Sequence, residues 1–153
     1  MPLPQHPGPE HMRDAVLTYF ASFASADVDA IVALFADNAV VEDPIGGARM
    51  EGVAAIRGFF AGGFAYVGGG YSFVPEGNVR IAANHAACAA IATCDKADPP
   101  FRLETLDVMT FDEAGKIVAM KAYWGPFNMT SLGEGSSGAE AAEKANAFLK
   151  SLK

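Results

Sequence analysis

The chain has 153 residues, 51% of them apolar and 19% charged, with a formal net charge of −7. That length builds about one domain with one sizeable core, and the acidic balance excludes the basic stripe that a nucleic-acid surface needs. No apolar run approaches the roughly 18 to 20 residues of a membrane span, and the opening MPLPQHPGPEH lacks the regions of a secretory signal. A cytoplasmic protein with no nucleic-acid or membrane partner is expected.

In chain order, the prolines at the start predict a loose tail over 1–10, followed by a domain over 11–132. MRDAVLTYFASFAS puts Met12, Val16, Phe20 and Phe23 on one helical face, with Tyr19 beside them. Asp27 can cap a second short helix, VDAIVALF. DNAVVEDP reads as a turn and then a short strand. EGVAAIRGFFAG repeats apolar residues at Val53, Ile56, Phe59 and Phe60 and predicts a third helix. GGFAYVGGGYSFV is glycine-rich and aromatic, which predicts an irregular strand or loop able to bend over a cavity. NVRIA turns through Ala83-Asn84 into HAACAAIATC, and FRLETLDVMTF and KIVAMKAYW follow as strands around the turn at Asp112–Gly115. Helices followed by an antiparallel sheet predict an α+β fold with the helices on one face. Residues 133–153 read as a linker, GEGSSG, and a helix with Ala141, Ala145, Phe148, Leu149 and Leu152 on one side. That helix could cover a pocket, pack on a partner subunit or coat the domain.

The strand FRLETLDVMTF is the most informative. Its period of two sets Phe101, Leu103, Thr105, Asp107, Met109 and Phe111 on one face. Asp107 therefore lies on the apolar side. Burial disfavours the charged form, and a neutral acid is a hydrogen-bond donor. The competing reading is a structural aspartate satisfied by backbone N–H groups or an arginine. VVEDPIGG raises a similar question, since Asp43 ends an apolar strand and Pro44 restricts the backbone around it. It is either a turn aspartate or a carboxylate held rigidly for chemistry. Tyr19 and Trp124 are each open to a packing role. Asp37 and Asp112 read as solvated turn residues. Cys88 and Cys94 lie on one strand with Cα atoms about 20 Å apart, too far for a disulfide. His6, His11 and His85 are isolated, and no residue cluster has metal-ligand spacing.

Taken together these residues carry a resemblance. VEDPIG at 41–46 resembles the corresponding stretch of the bacterial ketosteroid (Δ5-3-ketosteroid) isomerases. ADVDAIVALFADNAVVEDP is similar to that family's second helix and first strand, and LDVMTFDEAGKIVAMKAYW to its last hairpin. The likeness spans roughly Met12 to Leu132. Tyr19 stands 24 residues before Asp43, which is the family's spacing between oxyanion-hole tyrosine and base. Asp107 in LDVM matches its oxyanion-hole aspartic acid.

The resemblance implies a cone-like fold of the nuclear transport factor 2 type. Three helices would pack on a curved, mostly antiparallel sheet around an apolar pocket. It implies a cofactor-free, metal-free shift of a 5,6 double bond to the 4,5 position of a 3-ketosteroid. Asp43 would carry the proton, while Tyr19 and protonated Asp107 would hold the dienolate oxygen. Trp124 matches a tryptophan that touches the base through its indole N–H. Trp124, Phe60, Met120 and Phe35 are the expected pocket residues, and a homodimer is expected. Some members surround the oxyanion-hole tyrosine with two further tyrosines, where this chain has Phe35 and Phe60. The alternatives are a binding module for an apolar metabolite, and another enzyme on the same cone. An epoxide hydrolase of this type would need an Asp-Arg-Asp group, with Arg57, Arg80 and Arg102 available.

Overall fold

The computed structural model describes residues 7–132, together with Glu143 and Ala147, which are helical and exposed. The expected linker and C-terminal helix otherwise lie outside the described residues. Helix α1 (Pro9–Ala21) opens three residues earlier than its periodicity predicts, with proline at its start, where the missing N–H costs nothing. It ends at Ala21, and the Ser22 hydroxyl donates back to the Thr18 carbonyl at 2.7 Å. Asp27 caps α2 (Val28–Val32) by accepting from the Ala30 N–H at 3.0 Å, as expected. This helix is shorter than VDAIVALF suggests. The Lys116 ammonium takes the Ala33 carbonyl and the Ile117 N–H takes that of Leu34, so the chain leaves the helix to join the sheet.

Strand β1 (Phe35–Glu42) accordingly begins where a helix was expected, and Asp37 is an exposed strand residue rather than a turn residue. β2 (Arg49–Glu51) pairs back on β1. Helix α3 (Val53–Val67) runs on past Gly62, where the predicted segment ends, through Gly63 to Val67. Two interior glycines cost about 1 kcal/mol each. The buried row of Ile56, Phe60, Phe64 and Val67 continues across them and outweighs that cost, since each buried large side chain contributes roughly 1.5–3 kcal/mol. Gly68, at φ +85, stops the helix in a left-handed cap.

The remaining strands are β3 (Ser72–Pro75), β4 (Arg80–Ala82), β5 (His85–Cys94), β6 (Phe101–Phe111), β7 (Ile117–Tyr123) and β8 (Met129–Ser131). The sheet order is β2-β1-β7-β6-β5-β3, with β4 also on β5 and β8 on β6. Only the β1–β7 pairing is parallel among these ladders. This is the expected α+β architecture, with the main core between α1, α3 and the inner sheet face. β6 alternates as expected, with Phe101, Thr105, Asp107, Met109 and Phe111 buried. β7 does not. Its pairing slips between Thr110 and Phe111, so Ile117 faces inward with Met120 and Ala122 instead of opposite them. A bulge of this kind inserts one residue and breaks the period of two. No helix among the described residues is long and apolar enough to cross a membrane.

Candidate functional site

Three separate elements converge on one pocket. Tyr19 projects from the inner face of α1, 1% exposed, and its ring meets Phe23 edge-on at 4.9 Å and Phe60 at 6.0 Å. Asp107 sits in the middle of β6, 3% exposed, between Cys88 of β5 and Ala122 of β7. Asp43 follows β1 in the turn to β2. That turn is closed by the Asp43 N–H on the Ala48 carbonyl and fastened to the sheet by the Ile45 N–H on the Ala122 carbonyl, at 3.0 and 2.9 Å. Ala122 is thus the neighbour of Asp107 in the ladder and the anchor of the Asp43 turn. A single residue of β7 brings the two carboxyls to the same cavity.

The cavity has a volume of about 120 Å³ and opens to solvent at its mouth. Its wall is mainly apolar, with Phe23, Phe60, Phe64, Val67, Phe101 and Met129 prominent, and among the described residues it contains no lysine, arginine or histidine. Trp124 and Phe60 line it as expected. Phe35 and Met120 do not. Phe35 is buried in the main core with its ring against Phe60 at 6.2 Å, and Met120 is held in the same core opposite Met109 and Val41. Arg57 is drawn off to Asp29 at 2.7 Å, Arg102 lies beside Glu104, and Arg80 is exposed in β4, so none supplies an Asp-Arg-Asp group. Among the described residues no three His, Cys, Asp or Glu side chains gather as a metal group.

The electrostatics follow from this wall. Asp43 is reached from the cavity yet surrounded by protein, and its burial pushes the carboxyl from 3.8 up to about 6, against the Trp124 indole, which favours the charged form. Asp107 is raised well above the usual carboxylate range by burial, then by the charge of Asp43. The Thr105 hydroxyl donates to Asp107 Oδ1 at 2.9 Å and opposes that shift. Burial and the two aspartates also hold the Tyr19 phenol protonated, well above 10. Burial therefore favours the protonated form of Asp107 more strongly than that of Asp43, and the Tyr19 phenol stands in the same pocket as a donor. Such a set can accept a proton at one point and donate hydrogen bonds at another.

Two pocket groups were not singled out from the sequence. Thr105 orients Asp107, and its position two residues earlier on the same face was the available signal. Tyr71 reaches the cavity from the glycine-rich segment, which was expected to bend over a cavity without a role being assigned to that residue.

Residues 16–120 match the family model described as SnoaL-like domain. The chain belongs to the SnoaL-like family. The match carries the nuclear transport factor 2-like fold with it. The chain is also 36% identical over 118 residues to the steroid Delta-isomerase of Nocardioides simplex, covering 77% of this chain and 93% of that protein. Among solved structures it is similar to SalBIII, an epoxide hydrolase/cyclase-like enzyme with a role in pyran ring formation in the polyether salinomycin. That likeness has a TM-score of 0.69 and 28% identity, and covers 78% of this chain and 95% of that one.

Proposed function

We propose that this protein is a cofactor-free steroid Δ5-3-ketosteroid isomerase acting in the cytoplasm. One observation carries the reading: an ionisable carboxylate, Asp43, and two donors, Tyr19 and Asp107, face a single mainly apolar cavity. Asp43 removes a proton from C4 of the ketone. The electrons move into the carbonyl, and the oxygen of the resulting dienolate is held by the Tyr19 and Asp107 hydrogen bonds. Protonated Asp43 then returns the proton to C6, which leaves the double bond conjugated.

Each step fits the physical chemistry of the site. A base raised to about 6 is still ionised at neutral pH and is a better proton acceptor than an ordinary aspartate. Donors fixed in a dry wall stabilise charge as it forms, without reorganisation. Thr105 occupies one oxygen of Asp107, which leaves its acid proton on the other for the ligand. The similarity to the Nocardioides simplex isomerase supports the choice of substrate class. Turnover of 5-androstene-3,17-dione, followed as the rise in ultraviolet absorbance of the conjugated enone, tests it. No turnover with tight steroid binding would favour a binding module.

The similarity to SalBIII favours one second reading. The same base and acid could open an epoxide, with Asp43 taking a hydroxyl proton and Asp107 protonating the departing oxygen. Ring closure of an epoxy alcohol, with no steroid turnover, would favour that chemistry.

A further inference from the structure

The cavity wall carries a second phenol beside that of Tyr19. Tyr71 follows the glycines that end α3 and joins the wall just before β3. Its N–H is held by the Phe23 carbonyl at 3.1 Å, and Phe23 stands four residues after Tyr19, where the chain is still turning at the end of α1. The Phe23 ring meets Tyr19 at 4.9 Å and Tyr71 at 5.4 Å, and the Phe73 ring meets each of them at 6.2 Å. The two phenols therefore share two aromatic neighbours and one cavity.

The backbone that delivers Tyr71 is tightly specified, since a Cβ at Gly70 would overlap the Ala24 carbonyl. Phe64 closes on the ring at 5.7 Å. The Tyr71 hydroxyl makes no hydrogen bond to another described residue, and no buried side-chain polar atom lacks a partner among those residues, so this hydroxyl is open. Burial first, then Cys94, Asp43 and Asp107, raise the phenol well above its ordinary value, so it stays a donor. Tyr19 is raised in the same way by burial, Asp107, Asp43 and Tyr71. The two phenols and the two aspartates thus form one electrostatic site. The rings packed on Tyr19 are otherwise Phe20, Phe23, Phe60 and Phe73, none of which can hydrogen-bond.

We propose that Tyr71 is a further catalytic residue: its hydroxyl donates to the dienolate oxygen together with Tyr19 and Asp107, as a third donor delivered from the segment before β3. The inference rests on the steroid reading above and deepens it. No lysine, arginine or histidine is found among the described residues of the wall, so neutral donors are what meets the charge that forms on the ligand oxygen, and each one held in place lowers its energy. The Tyr71 hydroxyl has no protein partner to give up, so turning to the ligand breaks no bond.

Tyr71→Phe tests this, because it keeps the ring and its packing and removes only the hydroxyl. Turnover of 5-androstene-3,17-dione should fall about 10-fold in kcat, with a smaller change in KM. The second readout is bound equilenin, a phenol whose ionised form stands in for the dienolate. Its ratio of phenolate to phenol at neutral pH, read from absorbance, should also fall about 10-fold in the variant, and a role confined to packing would not move it. Unchanged turnover with an unchanged ratio overturns the role of Tyr71 and leaves the steroid reading standing. Lost turnover with an unchanged ratio overturns it as well: a lowered melting temperature would then assign the loss to packing, and a moved acid limb of kcat/KM would assign it to Asp43. If the wild type neither turns over the steroid nor binds equilenin, the steroid reading falls and this inference with it.

Discussion

The Trp124 indole N–H donates to Asp43 Oδ1 at 2.7 Å. Trp124 lies just past the end of β7 and Asp43 just past the end of β1, two strands that run parallel to each other. Parallel neighbours end at the same side of a sheet, so both residues emerge at the same rim of the cavity. The bond favours the ionised carboxylate, while burial opposes it and wins.

Removing that donor should move the acid limb of catalysis. The proposed base must be ionised, so kcat/KM should fall as pH drops through its pKa, about 6 in the free enzyme. Trp124→Phe keeps an aromatic wall but loses the N–H. The limb should then shift to higher pH by roughly one unit, since each unit corresponds to about 1.4 kcal/mol. A pH–rate profile with an unmoved limb would separate Trp124 from the ionisation of Asp43.

Asp43→Asn should nearly abolish turnover, by about 10³-fold or more, because an amide is a very poor base. Binding of equilenin should survive or tighten, since the negative charge beside a phenolate is gone. The same substitution bears on stability. An acid raised from 3.8 to about 6 in the folded state makes the folded protein bind more protons than the unfolded one between those values. Its favourable contribution is present below the unfolded pKa and lost as pH rises through 6. Asp43→Asn should therefore be more stable than wild type at pH 8, by up to about 3 kcal/mol, with the difference vanishing near pH 4. Thermal unfolding at the two pH values measures this directly.

The two donors should respond differently from the base. Tyr19→Phe should lower kcat by about 10²-fold, the usual loss of one oxyanion donor, with a smaller change in KM. Asp107→Asn should retain a substantial fraction of activity, because the amide NH₂ still donates, whereas Asp107→Ala should lose about 10²-fold. Steady-state kinetics that showed equal losses in the Asp43 and Asp107 asparagine variants would mean Asp107 works as an anion.

Assembly is the last expectation. On the sheet face away from the pocket, Leu106 and Tyr123 lie opposite each other in the β6–β7 ladder, 41% and 48% exposed. An outer face in contact with water is ordinarily more polar. Pairing of two copies through this face would give a C2 dimer. Light scattering at micromolar protein should report about twice the 16.0 kDa of one chain, and Leu106→Glu should lower the mass toward one.

The face of Asp107 was legible in the sequence because a strand alternates strictly, and β6 keeps its register with β5 from Phe101 to Thr110. The start of α2 was legible because Asp27 caps it locally. The bulge in β7 was not, since nothing in KIVAMKAYW marks where the ladder to β6 slips. Nor was the extent of α3. Gly62 and Gly63 are poor helix residues locally, and only the packing of Phe64 and Val67 holds the helix through them.

The sequence by itself determined what depends on near neighbours: the helix cap, the alternation of β6, the strand that delivers Asp43 to a turn, and a pattern of Tyr19, Asp43 and Asp107 that resembles a known family. Tertiary structure decided what depends on residues far apart in the chain. It joined the Asp43 turn to Ala122 and thereby to Asp107. It withdrew Phe35 and Met120 into the core and admitted Tyr71 to the cavity. It also raised the two carboxyls, because burial in an apolar wall, not residue type, disfavours their charged forms. Local pattern fixes the direction in which a side chain leaves the backbone, but its solvent, partners and charge are supplied by elements that meet only when the chain is folded.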